Sequence, residues 1–384
     1  MNKQHYIVKH NYFLLLCSLS LLLRLVCAYS YHGFEADTAC FYGWAERLWA
    51  NGFSDFYSPE YFCDYPPGYL YILYPIGGLL ALLGTDALSG TALLFLKFPA
   101  IICDLLTGAL IYKYATKYIC HKTALFLCAI YLFHPAVFIN SSLWGQVDAV
   151  YTLPLLLSCI LLTENKPAPA YFTYALSILL KPQALLFAPL IICNLAEQAF
   201  LGQPKKLLRS LSGGILSIGM MVILCLPFGI EQVISQYTDT LSSYPYAAVN
   251  AFNLWGLLGL NWVSQETMLG IFTYDQWSTL SLIIITFLSF LIFYLRKDCK
   301  DKYYITGAFL VCSTFLFSVR MHERYLFPVM ILLLFAYIHH HDKQYLHHYG
   351  LCLSVTFAMY FGYCSFMMPL IMTEKLLLFC CSPF

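Results

Sequence analysis

Residues 65–84 read YPPGYLYILYPIGGLLALLG, and whether this apolar run crosses a membrane decides the topology of everything after it. It is close to the ~20 residues that span a hydrocarbon core. Other runs of near-spanning length fall at 11–30, 93–112, 123–139, 147–163, 169–182, 184–200, 210–229, 279–296, 303–319, 324–338 and 346–372. The lysine-rich connections between them are YKYATKYICHK (112–122), TENK (163–166), QPKKLLR (203–209), RKDCKDK (296–302) and HHHDKQ (339–344). They fall on one side, the cytoplasmic side by the positive-inside rule, only if 65–84 does not cross. It is therefore read as a helix in the outer interface: Pro66 and Pro67 restrict its start, and Tyr69, Tyr71 and Tyr74 suit the headgroup level. A true crossing, with a broken helix elsewhere, is the alternative.

Composition agrees with a bilayer setting. Of 384 residues, 60% are hydrophobic and 11% charged, against about a quarter charged in a soluble domain. The mean hydropathy is +0.69. A net charge of +1 and the lack of a basic arm give no reason to expect a nucleic-acid partner. Most of the 16 cysteines lie in apolar runs, where a thiol is a small hydrophobe; Cys40 and Cys63 are the pair for which a disulfide is worth asking about. The first run, with Lys3 and Lys9 before it and Arg24 within it, is read as an uncleaved helix in preference to a signal peptide.

The expected architecture is an all-α polytopic membrane protein, a single domain over 1–384 with roughly eleven transmembrane helices. A first external loop covers 31–92 and contains the interfacial helix; a second covers 231–278. Polar and aromatic residues collect on that outer side, so any chemistry belongs to its rim.

Ionisable groups beside apolar sequence need a reason. Lys97 and Asp104 share a helix face; Asp104 is read as a helix-to-helix partner, and Lys97 as either snorkelling or touching a phosphate. Lys181, in LLKPQ, either snorkels or meets an anionic lipid phosphate, with Gln183 beside it. Arg320, His322, Glu323 and Arg324 in RMHER form either a salt-bridged knot or an anion site: arginine offers two parallel donors to phosphate, histidine a hydrogen bond, glutamate an acceptor for a sugar hydroxyl. Adjacent His322 and Glu323 do not suit a metal, and no metal or other cofactor is expected. Trp144, Gln146 and Asp148 in NSSLWGQVDA combine a ring with an amide and an acid, as sugar-facing surfaces do; Asn253 sits in a comparable setting in NAFNLWG. His134, before Pro135, is either a packed polar group or part of the same vestibule.

Taken in order, GFEADTACFYGWA, DYPPGYLY, KFPAIICD, HPAVFINSSLWGQVDAVY, LLKPQ, NAFNLWG and RMHERYLFP resemble the GT-C class of membrane glycosyltransferases that use polyprenyl-phosphate sugars. The likeness is to the glucosyltransferases of N-glycan assembly and to bacterial relatives of the second mannosyltransferase of GPI-anchor assembly. The resemblance implies a GT-C-like bundle, and inverting transfer of a hexose, mannose or glucose favoured, from a polyprenyl-phosphate carrier to a glycan, lipid or polymer hydroxyl. It implies Asp37 as catalytic base, with Glu35 as the competing acid. Lys181, Arg320, His322 and Arg324 then bind donor phosphate; Trp144, Gln146, Asp148, Asn253 and Glu323 bind sugar or acceptor. Donor, acceptor and membrane lipids are the expected partners, and a bacterial plasma membrane, site outward, the expected location. A lipid-linked-sugar flippase and a noncatalytic assembly subunit are the competing functions.

Overall fold

The computed structural model of the chain describes residues 3–58, 60–200 and 203–371. The side chains of Lys3 and Lys9 and residue 372 of the last apolar run lie outside the described set. The chain divides into two compact units: Met1–Gly52 with Leu70–Leu153, and Phe53–Tyr69 with Pro154–Phe384.

The first unit is built from α1 (Lys3–Ser30), α2 (Glu35–Asn51), most of α3 (Pro67–Leu83), α4 (Gly90–Tyr118), α5 (His121–Phe133) and α6 (Pro135–Phe138). A wide π-type turn, Ile139–Trp144, follows and leads to the start of α7 (Asp148–Thr163). Leucines cover the outside of α1: Leu14, Leu15, Leu19 and Leu22 are all more than half exposed, while Arg24 is fully buried on the opposite side. Arg24 pairs with the equally buried Asp104 of α4 at 2.8 Å. The same guanidinium donates to Ser20 and Ser141 hydroxyls and to the Leu132 carbonyl, and Tyr131 donates to Asp104. A charge removed from water is tolerable only with its remaining donors satisfied, and here they are distributed over α1, α4, α5 and the π-type turn. Asp104 is thus the helix-to-helix partner expected of it.

Between α5 and α6 the path bends by 49°. Pro135 disfavours helical backbone at the residue before it, and His134 is extended. The imidazole Nδ1 then accepts the Ala136 N–H at 3.1 Å and caps α6.

The second unit contains the 53–69 segment, the rest of α7, and α8 (Pro167–Leu180), α9 (Ala188–Phe200), α10 (Pro204–Cys225), α11 (Ile230–Ser242), α12 (Leu254–Leu257), α13 (Tyr274–Leu295), α14 (Lys302–Phe317), α15 (Phe327–His340) and α16 (Lys343–Ile371). Its core is α15, whose residues from Phe327 to Phe335 are all buried whichever way they face. A helix apolar all round belongs inside its unit. A two-stranded antiparallel hairpin, β1 (Met268–Leu269) and β2 (Phe272–Thr273), precedes α13.

Every apolar run of the sequence is occupied by helix. The expected count of eleven spans is nevertheless narrowed to a coarser statement. Among the described residues five helices are long and apolar enough to cross a membrane, or six if α5 and the bent segment after it form one span. The reason is segmentation: α7, α8, α14 and α15 are apolar but only 14 to 16 residues long. The decisive run, 65–84, forms α3 from Pro67, where the proline pair predicts a start. Its 17 residues rise about 25 Å, short of the ~30 Å hydrocarbon core, and it too is one of the shorter apolar helices. The all-α expectation gains the hairpin, and the 31–92 region holds a helix, α2, that the sequence reading did not foresee. No disulfide forms among the described cysteines; Cys40 and Cys63 keep their thiols.

Candidate functional site

The sequence-predicted residues gather in two clusters, one in each unit. In the first unit, Asp37 occupies the first turn of α2 and is half-buried. Its Oδ2 accepts the Trp144 indole N–H at 2.9 Å and a very short hydrogen bond from the Gln146 amide. Its Oδ1 makes no hydrogen bond among the described residues. Two donors hold one oxygen and leave the other with acceptor capacity to spare. Glu35 is different. Its side chain is 52% exposed, and its carboxylate lies 3.8 Å from the similarly exposed His32 ring.

Three features hold Asp37 against its donors. Gly33 packs on the π-type turn so closely that a Cβ would lie 2.4 Å from the Trp144 carbonyl oxygen, and its φ of +76° suits glycine. Lys97, almost fully buried, donates to the Tyr31 carbonyl at 2.6 Å and to the Leu143 carbonyl at 3.0 Å. This ammonium therefore staples the start of α2 to the π-type turn. The Asn140 carbonyl accepts the N–H groups of both Gly145 and Gln146, closing the turn beneath Gln146. Wide turns of this kind recur at functional sites because they re-aim side chains.

Of the trio Trp144, Gln146 and Asp148, two serve Asp37 and the third bonds Asn140. Trp144 is 3% exposed, its ring tilted against Phe34 and its N–H aimed at Asp37. Gln146 sends its amide to Asp37, while its buried Oε1 has no hydrogen-bond partner. Asp148, fully buried in the first turn of α7, accepts from the Asn140 side chain at 2.8 Å. The ring expected to cover a sugar is here a donor that orients an acid.

In the second unit, Lys181 lies between α8 and a short 3-10 turn, in extended backbone imposed by Pro182. It is buried, with its ammonium 5.9 Å from the centre of the Tyr65 ring. His322 is buried between Tyr244 and Tyr325, ring centres 4.7 and 5.0 Å away. Burial, then the positive charges of Arg324 and Lys181, hold its pKa well below the ordinary 6.5, so the imidazole is neutral. The field at this ring is positive. Tyr325 has its hydroxyl pushed up to about 12, chiefly by burial and against the positive charge of Arg324. Arg324 bridges the buried Glu323 at 2.8 Å.

Two predicted members are used elsewhere. Arg320, in left-handed backbone with φ of +60°, gives its Nε to Gln265 at 2.6 Å in the 231–278 segment. Asn253 caps α12, accepting the Gly256 N–H and donating to the Ser318 carbonyl. RMHER thus contains contacts of the knot reading, the Arg324–Glu323 pair and the Arg320–Gln265 bond. Its backbone pairs with the same segment: the Val249 N–H meets the Met321 carbonyl at 3.0 Å, and the Arg320 N–H meets the Tyr246 carbonyl.

Sequence reasoning passed over Asn140, the stapling role of Lys97, and the close approach of Gly33. Only Gly33 carried a legible signal, as a glycine immediately before a helix start. Among the described residues no three His, Cys, Asp or Glu side chains converge as metal ligands. No protein-family model matches this sequence, and no curated protein matches it either.

Proposed function

We propose that this chain is an inverting membrane glycosyltransferase that moves a hexose from a polyprenyl-phosphate carrier to a hydroxyl of an envelope glycan, lipid or polymer. The membrane reading rests on the apolar helices; the chemistry rests on one observation. Among the described residues, half-buried Asp37 has one carboxylate oxygen held by two donors and the other without a hydrogen bond, and the buried Oε1 of its donor Gln146 is also without one. A carboxylate so held is suited to take the proton of an acceptor hydroxyl as that oxygen attacks the anomeric carbon. The bond from the anomeric carbon to the phosphate oxygen breaks in the same displacement, which inverts configuration. Phosphate leaves as an anion and needs cations and hydrogen-bond donors in preference to a strong acid; Lys181, Arg324 and neutral His322 are of that type. In this reading Trp144 and Gln146 position the base, Glu323 orients Arg324, and Asp37 is favoured over the solvated Glu35. Mannose or glucose, a bacterial plasma membrane and an outward-facing site complete the proposal, on the strength of the GT-C resemblance.

The experiment is turnover by purified protein in lipid, supplied with polyprenyl-phosphate sugars. Asp37→Asn is expected to abolish sugar release from the carrier, and Glu35→Gln to leave it within about threefold, as for a surface acid outside the chemistry. Release by Asp37→Asn at the normal rate would sink the assignment. Sugar crossing the bilayer without release from the carrier would favour a transporter.

A further inference from the structure

The segment joining α11 to α13 carries charge-free apolar side chains where an aqueous loop would carry polar ones. Leu257 is 84% exposed, Ile271 77%, Met268 58%, Leu258 54% and Leu269 45%. Three of these sit on the hairpin. Met268 pairs with Thr273 and Leu269 with Phe272 around a two-residue turn, with Gly270 at φ +69° as such turns require at their first position. Ile271 is thereby held at the tip. Clustered exposed apolar side chains on a rigid frame mark an interaction surface.

What covers that surface follows from its continuity with α13. The hairpin is fixed to the first turns of this helix: the Trp277 indole N–H donates to the Leu269 carbonyl at 3.0 Å, and the Phe272 and Trp277 rings meet edge to face at 5.1 Å. From Trp277 the same helix face continues through Leu280, Ile284, Phe287 and Leu291, spaced by three and four residues and each 40% exposed or more. This is the outward face of a helix long and apolar enough to cross a membrane. The finger extends that stripe past the helix start, opposite the end that carries Arg296, Lys297 and Lys300.

We infer that the 268–272 hairpin, with Leu257 and Leu258, is a lipid-seated finger whose apolar side chains enter the acyl chains and headgroup boundary of the leaflet at the N-terminal end of α13. A consequence, which rests on the function proposed above, concerns His322. The finger follows residues 260–265; this segment bonds to 246–249, the Ala247 N–H to the Val263 carbonyl and the Trp262 N–H to the Ala248 carbonyl, and 246–249 bridges to the backbone at His322. Seating the finger fixes the depth of the histidine relative to the lipid surface, where a lipid phosphate lies.

The test is an environment-sensitive fluorescent amino acid placed at position 271 of the full chain in phosphatidylcholine bilayers, with position 266 as the solvated comparison. The expected result at 271 is blue-shifted emission, quenched by nitroxides on acyl chains and insensitive to aqueous iodide. Quenching by iodide and not by labelled lipid would overturn the inference, as would blue-shifted emission quenched by neither, which means a protein cover such as a second copy or another part of this chain. None of these readouts depends on sugar transfer. Separately, Ile271→Asp with Leu257→Asp is expected to raise the donor KM several-fold with kcat within about twofold, as for loss of uniform binding. A variant pair that leaves KM unchanged removes the link to His322 and nothing else.

Discussion

The acidic cluster of the first unit and the cationic cluster of the second are solved in opposite ways. Around Asp37 the charges are quiet: Arg24 and Asp104 neutralise each other, Lys97 is engaged by two carbonyls, and one carboxylate oxygen is left over. Around His322 the geometry is quiet and the charge is not. Rings and backbone hold the imidazole in place, while burial first, then Arg324 and Lys181, keep it from taking a proton. In the proposed reaction the first cluster supplies the acceptor for a proton and the second the cations for a leaving phosphate.

The sharpest way to break the contrast is to remove a charge that is purely structural. Arg24→Ala leaves Asp104 buried and unpaired and is expected to cost about 3–5 kcal/mol of stability, read from thermal or denaturant unfolding in detergent. Replacing both residues by leucine should recover much of that loss. If Arg24→Ala is neutral, the ion pair does not organise the first unit.

Next in size is the cationic cluster. Arg324→Gln and Lys181→Gln should each weaken donor binding about 10- to 100-fold, the range for a charged hydrogen bond of 1.5–3 kcal/mol, with Arg320→Gln weaker because its side chain serves Gln265. Equal effects at Arg320 and Arg324 would erase that distinction.

A smaller effect is expected at the positioning residues. Gln146→Leu removes one of the two donors on Asp37 and should lower turnover about tenfold, whereas Gln146→Glu adds a second acid and should move the pH–rate profile upward. Rescue of the rate at higher pH in the glutamate variant is a signature that loss of folding cannot mimic.

The smallest effect concerns His322. A histidine held neutral when folded takes up a proton more readily once unfolded, so stability is lost as pH falls below the ordinary 6.5 towards the depressed folded value. The slope is at most about 1.4 kcal/mol per pH unit. Replacement by glutamine should flatten it, as measured by denaturation from pH 7.5 to 5.

The sequence made the helices legible because apolar runs of this length have few other solutions, and the start of α3 was announced by its prolines. α2 was hidden, since EADTACFYGWAERLWAN mixes acids with aromatics in no simple period. Asp37 was singled out by the GT-C resemblance, with Glu35 competing, but its donors are more than 100 residues away, and Arg24 reaches Asp104 across 80. Pairings at such separations leave no mark in one sequence. The uses of Arg320 and Asn253 were hidden for a related reason: each is settled by a backbone or side-chain partner that local sequence does not name.

The division of labour itself is tested by measuring donor binding and donor turnover on Asp37→Asn and Lys181→Gln side by side. The predicted result is a clean split: the asparagine variant binds the polyprenyl-phosphate sugar with unchanged Kd and turns it over at least 100-fold more slowly, while the glutamine variant shows its loss first in Kd. An asparagine variant that turns over normally, or one that loses binding and turnover together with Lys181→Gln, contradicts the account.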